Sequence, residues 1–263
     1  MLGKLIKYDM RSCWKTFLPF WAAILILTLV NAFTVNYAAE NSNNFLVSVL
    51  PALLLLGTCM ITFVVAIVYI CQEFSRGLLG KSGYLMFTLP VKTEALVASK
   101  GITALILECI SAVIVVLSLI LELAAINAGS LLELPRKFFK AFAEYPELRQ
   151  ATLLVFEGIL LAASAAIAFN ERIHVSIAVG HLAKKHRTVI AFLTYVIIGA
   201  ILSFLGIRGT MLADRLVPDL QITPSMTGRM TLLLLGLTLL NLLIAAVYFF
   251  ITSFILKRRL NLE

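Results

Sequence analysis

The chain has 263 residues, of which 61% are hydrophobic and only 14% are charged, whereas a soluble globular domain carries roughly 45–50% apolar and about 25% charged residues. This composition excludes a soluble enzyme or binding domain and indicates a chain whose solvent is lipid. The net charge of +8 falls in short segments between apolar runs, so lipid headgroups and membrane topology explain it, and no nucleic-acid partner is predicted.

The first segment, residues 2–15, predicts an amphipathic elbow helix that lies in the membrane interface. Its apolar face consists of Leu2, Leu5, Ile6, Met10, Cys13 and Trp14, and its polar face consists of Lys4, Lys7, Asp9, Arg11 and Lys15. The segment either only anchors the chain and sets its topology, or it packs against a cytoplasmic partner. The run Thr16–Ala39 is longer than the roughly 7–15-residue core of a signal peptide, so we interpret it as a first span.

Six apolar segments are long enough to cross a hydrocarbon core of roughly 30 Å, which takes about 20 residues. They lie at about 17–38, 45–71, 101–126, 151–182, 188–207 and 230–256. The sequence therefore predicts an all-α integral membrane protein with one transmembrane domain over residues 1–263. With the N-terminus inside, the inner segments hold twice as many Lys and Arg residues as the outer ones, so both termini are predicted to be cytoplasmic. The outer segment 129–150 predicts a short amphipathic helix.

Polar residues recur on single faces of the predicted spans. Glu108 and Glu122 share one face of the third span, and Glu157 and Glu171 share one face of the fourth. A charged group at mid-bilayer costs about 3 kcal/mol on insertion scales, so these acids should face protein or water. The candidate path-lining residues are Glu108, Ser111, Ser118, Glu122, Glu157, Glu171 and Asn241. The alternative is that such residues make helix–helix contacts in lipid, or that Glu122 and Glu157 reach the outer interface.

Signatures of catalysis and of metal binding are absent from the sequence. Residues 77–82 end in Gly-Lys-Ser, but Ser75 stands where a nucleotide-binding P-loop needs its first glycine. The four cysteines show neither CxxC spacing nor His at zinc-ligand offsets, and His174 and His181 lack further ligands. We therefore predict no catalytic residue, no metal and no cofactor in this chain. An intramembrane enzyme using Glu171, Arg172 and His174 is a remote alternative.

The connection between spans two and three, residues 72–100, is apolar although it is predicted to be cytoplasmic. It is rich in Leu, Phe, Tyr and Met, which need a surface to pack on. Thr93 is placed to cap a helix that runs directly into the third span. The composition indicates either a docking element for a partner or a loop that folds back on the protein itself.

In this connection the chain resembles the membrane subunits of ATP-binding cassette (ABC) transporters of the ABC-2 type. The shared pattern falls on Glu73, Gly77, Leu78, Leu79, Pro90, Leu96, Ser99 and Lys100. Residues 83–91 and the end of span four, 176–187, are similar to the small permeases of Gram-positive bacteria, whose relatives include exporters of bacteriocins and toxin peptides. The Glu171–Arg172 pair departs from the apolar or aromatic residues usual at that place, which leaves the end of span four open.

The resemblance implies a non-catalytic permease of the bacterial plasma membrane that pairs with a like or unlike second permease. The pair would export amphipathic peptides or drugs, while separate ATP-binding subunits would bind ATP and Mg²⁺. The resemblance also implies that residues 72–100 form the loop that couples the permease to the ATPase, with a coupling helix in it. The residues expected to make this contact are Glu73, Phe74, Arg76, Gly77, Leu78, Leu79, Lys81 and Pro90. A different class of function is a membrane anchor or sensor that docks a signalling partner through residues 72–100.

Overall fold

The computed structural model describes residues 2–40, 45–80, 91–126, 140, 146–183, 185–216 and 226–258. This part of the chain is helical and contains no strand. The helices are α1 (Leu2–Glu40), α2 (Phe45–Leu78), α3 (Thr93–Ile126), α4 (Pro146–His181), α5 (Arg187–Leu216) and α6 (Met226–Arg258). Each of the six described helices is long and apolar enough to cross a membrane. The prediction of an all-α, multi-pass membrane protein is thereby confirmed.

The N-terminal segment differs from the separate elbow helix that the sequence predicts. Residues 2–15 are the first turns of α1, which continues without a break through the first span to Glu40. Asp9, predicted on the polar face, is 1% exposed, and Trp14, predicted on the apolar face, is 47% exposed. Pro19 lies inside the helix and has no N–H to donate to the carbonyl of Lys15, which leaves one turn of the ladder weaker there.

The connection between α2 and α3 is shorter than the loop predicted for it, because both helices extend into it. Glu73, Gly77 and Leu78 belong to the last turns of α2. At the other end, the Lys92 carbonyl accepts hydrogen bonds from the N–H groups of Ala95 and Leu96, and α3 then runs unbroken into the third span as predicted. Residues 81–90, with Lys81 and Pro90, lie outside the described residues, as does most of the predicted outer helix at 129–150.

Apart from its first two residues, the chain divides into two compact units. The first comprises Gly3–Tyr69 and Ile102–Arg149, and thus contains α1, most of α2 and most of α3. Its core is formed by Cys13, Phe17 and Trp21 of α1 with Leu107 of α3. Phe17 also meets Tyr69 of α2 edge to face, with ring centroids 5.4 Å apart. One buried stripe thus runs along α1 from Asp9 to Asn31, which is why the helix packs as a single element.

The second unit comprises Ile70–Gly101 and Gln150–Glu263. Its buried apolar residues come from the end of α2, the start of α3, the second half of α4 and the last turns of α6. They are Ile70, Phe74, Leu78, Leu96, Val97, Ile173, Val175, Ala178, Ala245, Tyr248, Ile255 and Leu256. In contrast, α5 exposes large apolar side chains along its length, including Phe192, Ile201 and Phe204. Such a surface is suited to lipid rather than to water.

Candidate functional site

The end of α2 and the start of α3 are joined by a buried salt bridge between two residues of the sequence pattern. Lys100 Nζ lies 2.6 Å from Glu73 Oε1, and the two side chains are only 3% and 25% exposed. A Cβ atom at Gly77, one turn after Glu73, would lie 3.3 Å from Lys100 Nζ. The Glu-x₃-Gly spacing therefore has two parts. Glu73 supplies the carboxylate that pairs with Lys100, and Gly77 is small enough for the Lys100 side chain to pass over it. Ser99 is also buried and donates its hydroxyl to the Leu96 carbonyl.

α4 joins this site through an aromatic stack and a buried acid. The ring of His174 stacks on Phe74 with centroids 4.3 Å apart and an interplanar angle of 16°. Glu171 Oε1 lies 3.5 Å from His174 Nδ1, which is an ion-pair distance but too long for a well-formed hydrogen bond. A Cβ atom at Gly101 would lie 2.8 Å from Glu171 Oε1, so the missing side chain at Gly101 lets the carboxylate approach α3. We call Glu73, Phe74, Gly77, Lys100, Gly101, Glu171 and His174 the charge cluster.

Arg172 is adjacent to Glu171 in sequence but points to a different helix. Its Nη2 donates to the Tyr195 carbonyl of α5 at 2.9 Å, and its guanidinium lies over the Tyr195 ring at 3.8 Å from the centroid. Gly199, one turn further on α5, lies directly against the guanidinium. The adjacent residues Glu171 and Arg172 thus approach two different helices, α3 and α5, and α4 continues regularly to His181.

Two further contacts tighten the second unit near this site. A Cβ atom at Gly180 would lie 2.6 Å from Ala191 Cβ and 2.7 Å from the Arg187 carbonyl oxygen, so α4 and α5 touch where they are connected. His186 in that connection has a φ of 57°, a left-handed conformation that is uncommon outside glycine, and its carbonyl accepts from the Ile190 N–H. The Lys257–Glu94 pair, at 3.9 Å and well exposed, adds little because solvent screens it.

In the first unit, the polar residues of α3 bond to α1. Trp21 Nε1 donates to Ser111 Oγ at 3.1 Å, and Asn31 Nδ2 donates to Glu122 Oε1 at 2.8 Å. Both contacts advance towards the C-terminal ends of the two helices, so α1 and α3 run parallel. We call these two hydrogen bonds the α1–α3 seam. Two of the candidate path-lining residues thus have partners on a neighbouring helix.

The remaining path-lining candidates lie at least partly against protein. Ser118 is buried and donates to the Val115 carbonyl, and Glu108 is half-buried. On α6, the candidate Asn241 has its Nδ2 3.5 Å from Oγ of the buried Ser164 of α4. Glu157 is half-buried, and its Oε2 has no hydrogen-bond partner among the described residues. Their lining of a path stays a prediction.

Several residues of these contacts carry no sequence motif. Asn31 and Trp21 are isolated hydrogen-bonding residues in an apolar run. Only their helical spacing relative to the buried Thr28 indicates that the three residues share one face of α1. Gly180 and Gly199 likewise have no signal beyond being small. Asp9 could not be recognised as buried, because the amphipathic pattern assigns acids to the polar face. Trp21, Asn31 and Gly199 each contact a residue on another helix, so the sequence around them gives no signal of their contacts.

The described residues include most of the predicted coupling residues. They contain no group of three or more His, Cys, Asp or Glu side chains that could hold a metal ion. Of the predicted coupling residues, Phe74 and Leu78 are buried, Glu73, Gly77 and Leu79 are half-buried, and Arg76 is exposed. The site therefore combines an exposed basic side chain, Arg76, with the Glu73–Lys100 ion pair.

Comparison with known proteins gives no relative: no family model, no curated protein and no solved structure matches this chain.

Proposed function

We propose that this chain is the permease subunit of an ABC transporter of the ABC-2 type, located in the bacterial plasma membrane and driven by separate ATP-binding subunits. The observation that carries the proposal is the contact of Glu73 and Gly77 with Lys100. These are three residues of the pattern on which the resemblance rests, and they meet although the pattern was recognised from sequence alone. The six apolar helices agree with a permease and also with other membrane proteins.

The charge cluster supports a coupling role because it ties the connection's two ends to a third helix. A force applied to residues 79–92 would move α2 and α3 together, because the Glu73–Lys100 salt bridge links the end of α2 to the start of α3. The Phe74–His174 stack would pass the movement to α4. Burial makes such transmission efficient, because packed interiors deform little under load. Docking of an ATP-binding subunit on this connection would thereby shift the spans of the permease.

Co-purification of an ATPase tests the proposal most directly. The detergent-solubilised chain, purified from its native host, is expected to bring down an ATP-binding subunit and ATPase activity. Arg76→Glu should abolish this association. Arg76 is exposed at the end of α2, and a glutamate there would repel an acidic partner surface that the arginine attracts. Lys185→Glu is the matched control: it makes the same charge change at an exposed position between α4 and α5 and should leave the association intact.

A chain that purifies alone under mild conditions would sink the permease proposal. A co-purified signalling protein without ATPase activity would instead favour the anchor or sensor function. If both variants lose the partner equally, the association depends on overall charge, and the connection is not the docking element.

We also propose that the chain and a second permease, like or unlike, form a path for cationic or amphipathic cargo. The polar faces of the third and fourth spans support this part of the proposal. Glu108→Gln with Glu122→Gln should lower transport and substrate-stimulated ATPase activity about tenfold, which corresponds to about 1.4 kcal/mol of lost cargo interaction. Glu122→Gln keeps an oxygen for Asn31, so the helix contact is retained. Unchanged transport in the double variant would show that these acids only pack.

A further inference from the structure

We infer that the exposed face of the first four turns of α1 binds anionic phospholipid headgroups, with Arg11, Trp14 and Lys15 forming the contact. This inference is independent of the proposed function. The cationic side chains on this face are Lys4, Lys7, Arg11 and Lys15, and all four are exposed. Tyr8 and Trp14 are 70% and 47% exposed on the same side. At 3.6 residues per turn, these six residues occupy about a third of the helix circumference.

The face carries no compensating acid. Asp9 is the one acidic residue between positions 2 and 39, and it is 1% exposed on the opposite, packed side of α1. The helix cannot rotate to hide its cations, because Cys13 and Phe17 are buried with Leu107 on that packed side. A purely cationic surface next to a membrane span attracts the anionic lipids of the leaflet.

The aromatic residues distinguish a lipid contact from a solvated charged face. Trp14 stands edge to face with Trp21 at a centroid distance of 5.4 Å, so its ring is held in place while almost half of its surface remains open. Trp and Tyr are enriched where one end of the ring meets hydrocarbon and the other meets headgroups. Since α1 is continuous with the span, Trp14 lies just before the uncharged run that enters the bilayer.

The unbroken helix also ranks the four cations by depth. At 1.5 Å per residue, Lys15 and Arg11 lie about 3 and 9 Å before Phe17, whereas Lys4 lies about 20 Å before it. A headgroup layer is about 5–8 Å thick on each side. Lys15 therefore lies within the headgroup layer and Arg11 lies at its outer edge, where its long side chain reaches phosphate groups, whereas Lys4 and Lys7 act only across screened solvent.

Trp fluorescence can measure this contact, because the chain has only two tryptophans, Trp14 and Trp21, and both lie in α1. The full-length Trp21→Phe protein is reconstituted in vesicles of 30% phosphatidylglycerol and 70% phosphatidylcholine, with acyl-chain bromines placed on one lipid or on the other. Per mole of lipid, quenching should indicate at least about fivefold preferential binding of phosphatidylglycerol, the factor expected from one basic residue at the surface.

Two charge-matched variants locate the site. The double variant Arg11→Gln with Lys15→Gln should bind the two lipids equally, with a preference for phosphatidylglycerol of about one. The double variant Lys4→Gln with Lys7→Gln removes the same charge and should reduce this preference by less than about twofold. If Trp21→Phe does not fold, the same comparison is made with both tryptophans present. Equal quenching by the two lipids, or equal effects of the two pairs, would overturn the inference. Loss of a co-purified protein in the first pair, with no lipid preference, would assign the face to an acidic protein instead.

Discussion

The α1–α3 seam and the charge cluster both join apolar helices through polar side chains, but they differ in charge. The seam uses a neutral donor for each contact, the Trp21 indole and the Asn31 amide, and only one of its acceptors is an acid. The charge cluster instead contains the Glu73–Lys100 ion pair and a second acid, Glu171, which lies next to His174. Side-chain hydrogen bonds between membrane helices contribute about 0.6 kcal/mol each on average, whereas a buried ion pair is costly to break on one side. The cluster should therefore be the more sensitive region.

The largest effect is expected from removing one charge of the cluster. Glu73→Gln takes the carboxylate away from Lys100, whose side chain is only 3% exposed, and should lower the free energy of unfolding by about 3 kcal/mol. Titration of the folded protein with a denaturing detergent, followed by circular dichroism, measures this loss. Glu73→Leu combined with Lys100→Met removes both charges and should regain most of it. A single variant as stable as the original chain would mean that the pair contributes nothing.

The second effect concerns how closely the helices approach. Gly180→Ala places a methyl group against Ala191 and against the Arg187 backbone, and should cost about 1–3 kcal/mol. Gly57→Ala, in the α2 part of the first unit, meets nothing within 4 Å and should cost nothing, because Ala favours a helix over Gly. Comparison of the thermal midpoints of the two variants checks this. Ala191→Gly should rescue Gly180→Ala only in part, since the Arg187 oxygen remains.

The smallest effect is expected at the seam. Asn31→Ala removes the donor to Glu122 and should lower the free energy of unfolding by about 0.6 kcal/mol, the average for such bonds between membrane helices. Glu122→Gln keeps an acceptor oxygen and should cost less. The same detergent titration applies to both. A loss at Asn31 as large as that at Glu73 would remove the distinction between the two regions.

The fold could be predicted to a large extent because lipid imposes a simple rule on length and polarity. Each of the six segments needs about 20 apolar residues, and each predicted segment falls on a separate helix. The ends were harder, because α2 and α3 extend past their apolar runs into residues such as Glu73 and Lys100. The sequence does not predict that residues 2–15 continue into the first span, because a change from amphipathic to uniformly apolar sequence resembles a helix boundary.

Only some members of the charge cluster could be predicted, and they were predicted as residues and not as contacts. The pattern that contains Glu73, Gly77 and Lys100 was visible, but their meeting depends on the two helix ends returning to the same place. His174 lies at a local i, i+3 spacing from Glu171, but the approach of Glu171 to Gly101 of α3 and the contact of Arg172 with Tyr195 of α5 have no local spacing that predicts them. Asn31 and Glu122 show the same difficulty, because each belongs to a recognisable face while the pairing of the two faces is a property of the packed helices.

The contact between Arg172 and α5 has a consequence for how the chain enters the membrane during synthesis. An arginine in an inserting helix is costly, by up to about 2.5–3.5 kcal/mol at the helix centre, and α4 also contains Glu157 and Glu171. The groups that receive the guanidinium, the Tyr195 carbonyl and ring, are on α5 and emerge from the ribosome later. α4 should therefore remain at the translocon until α5 has been synthesised, and the two helices should then insert into the bilayer together as one hairpin.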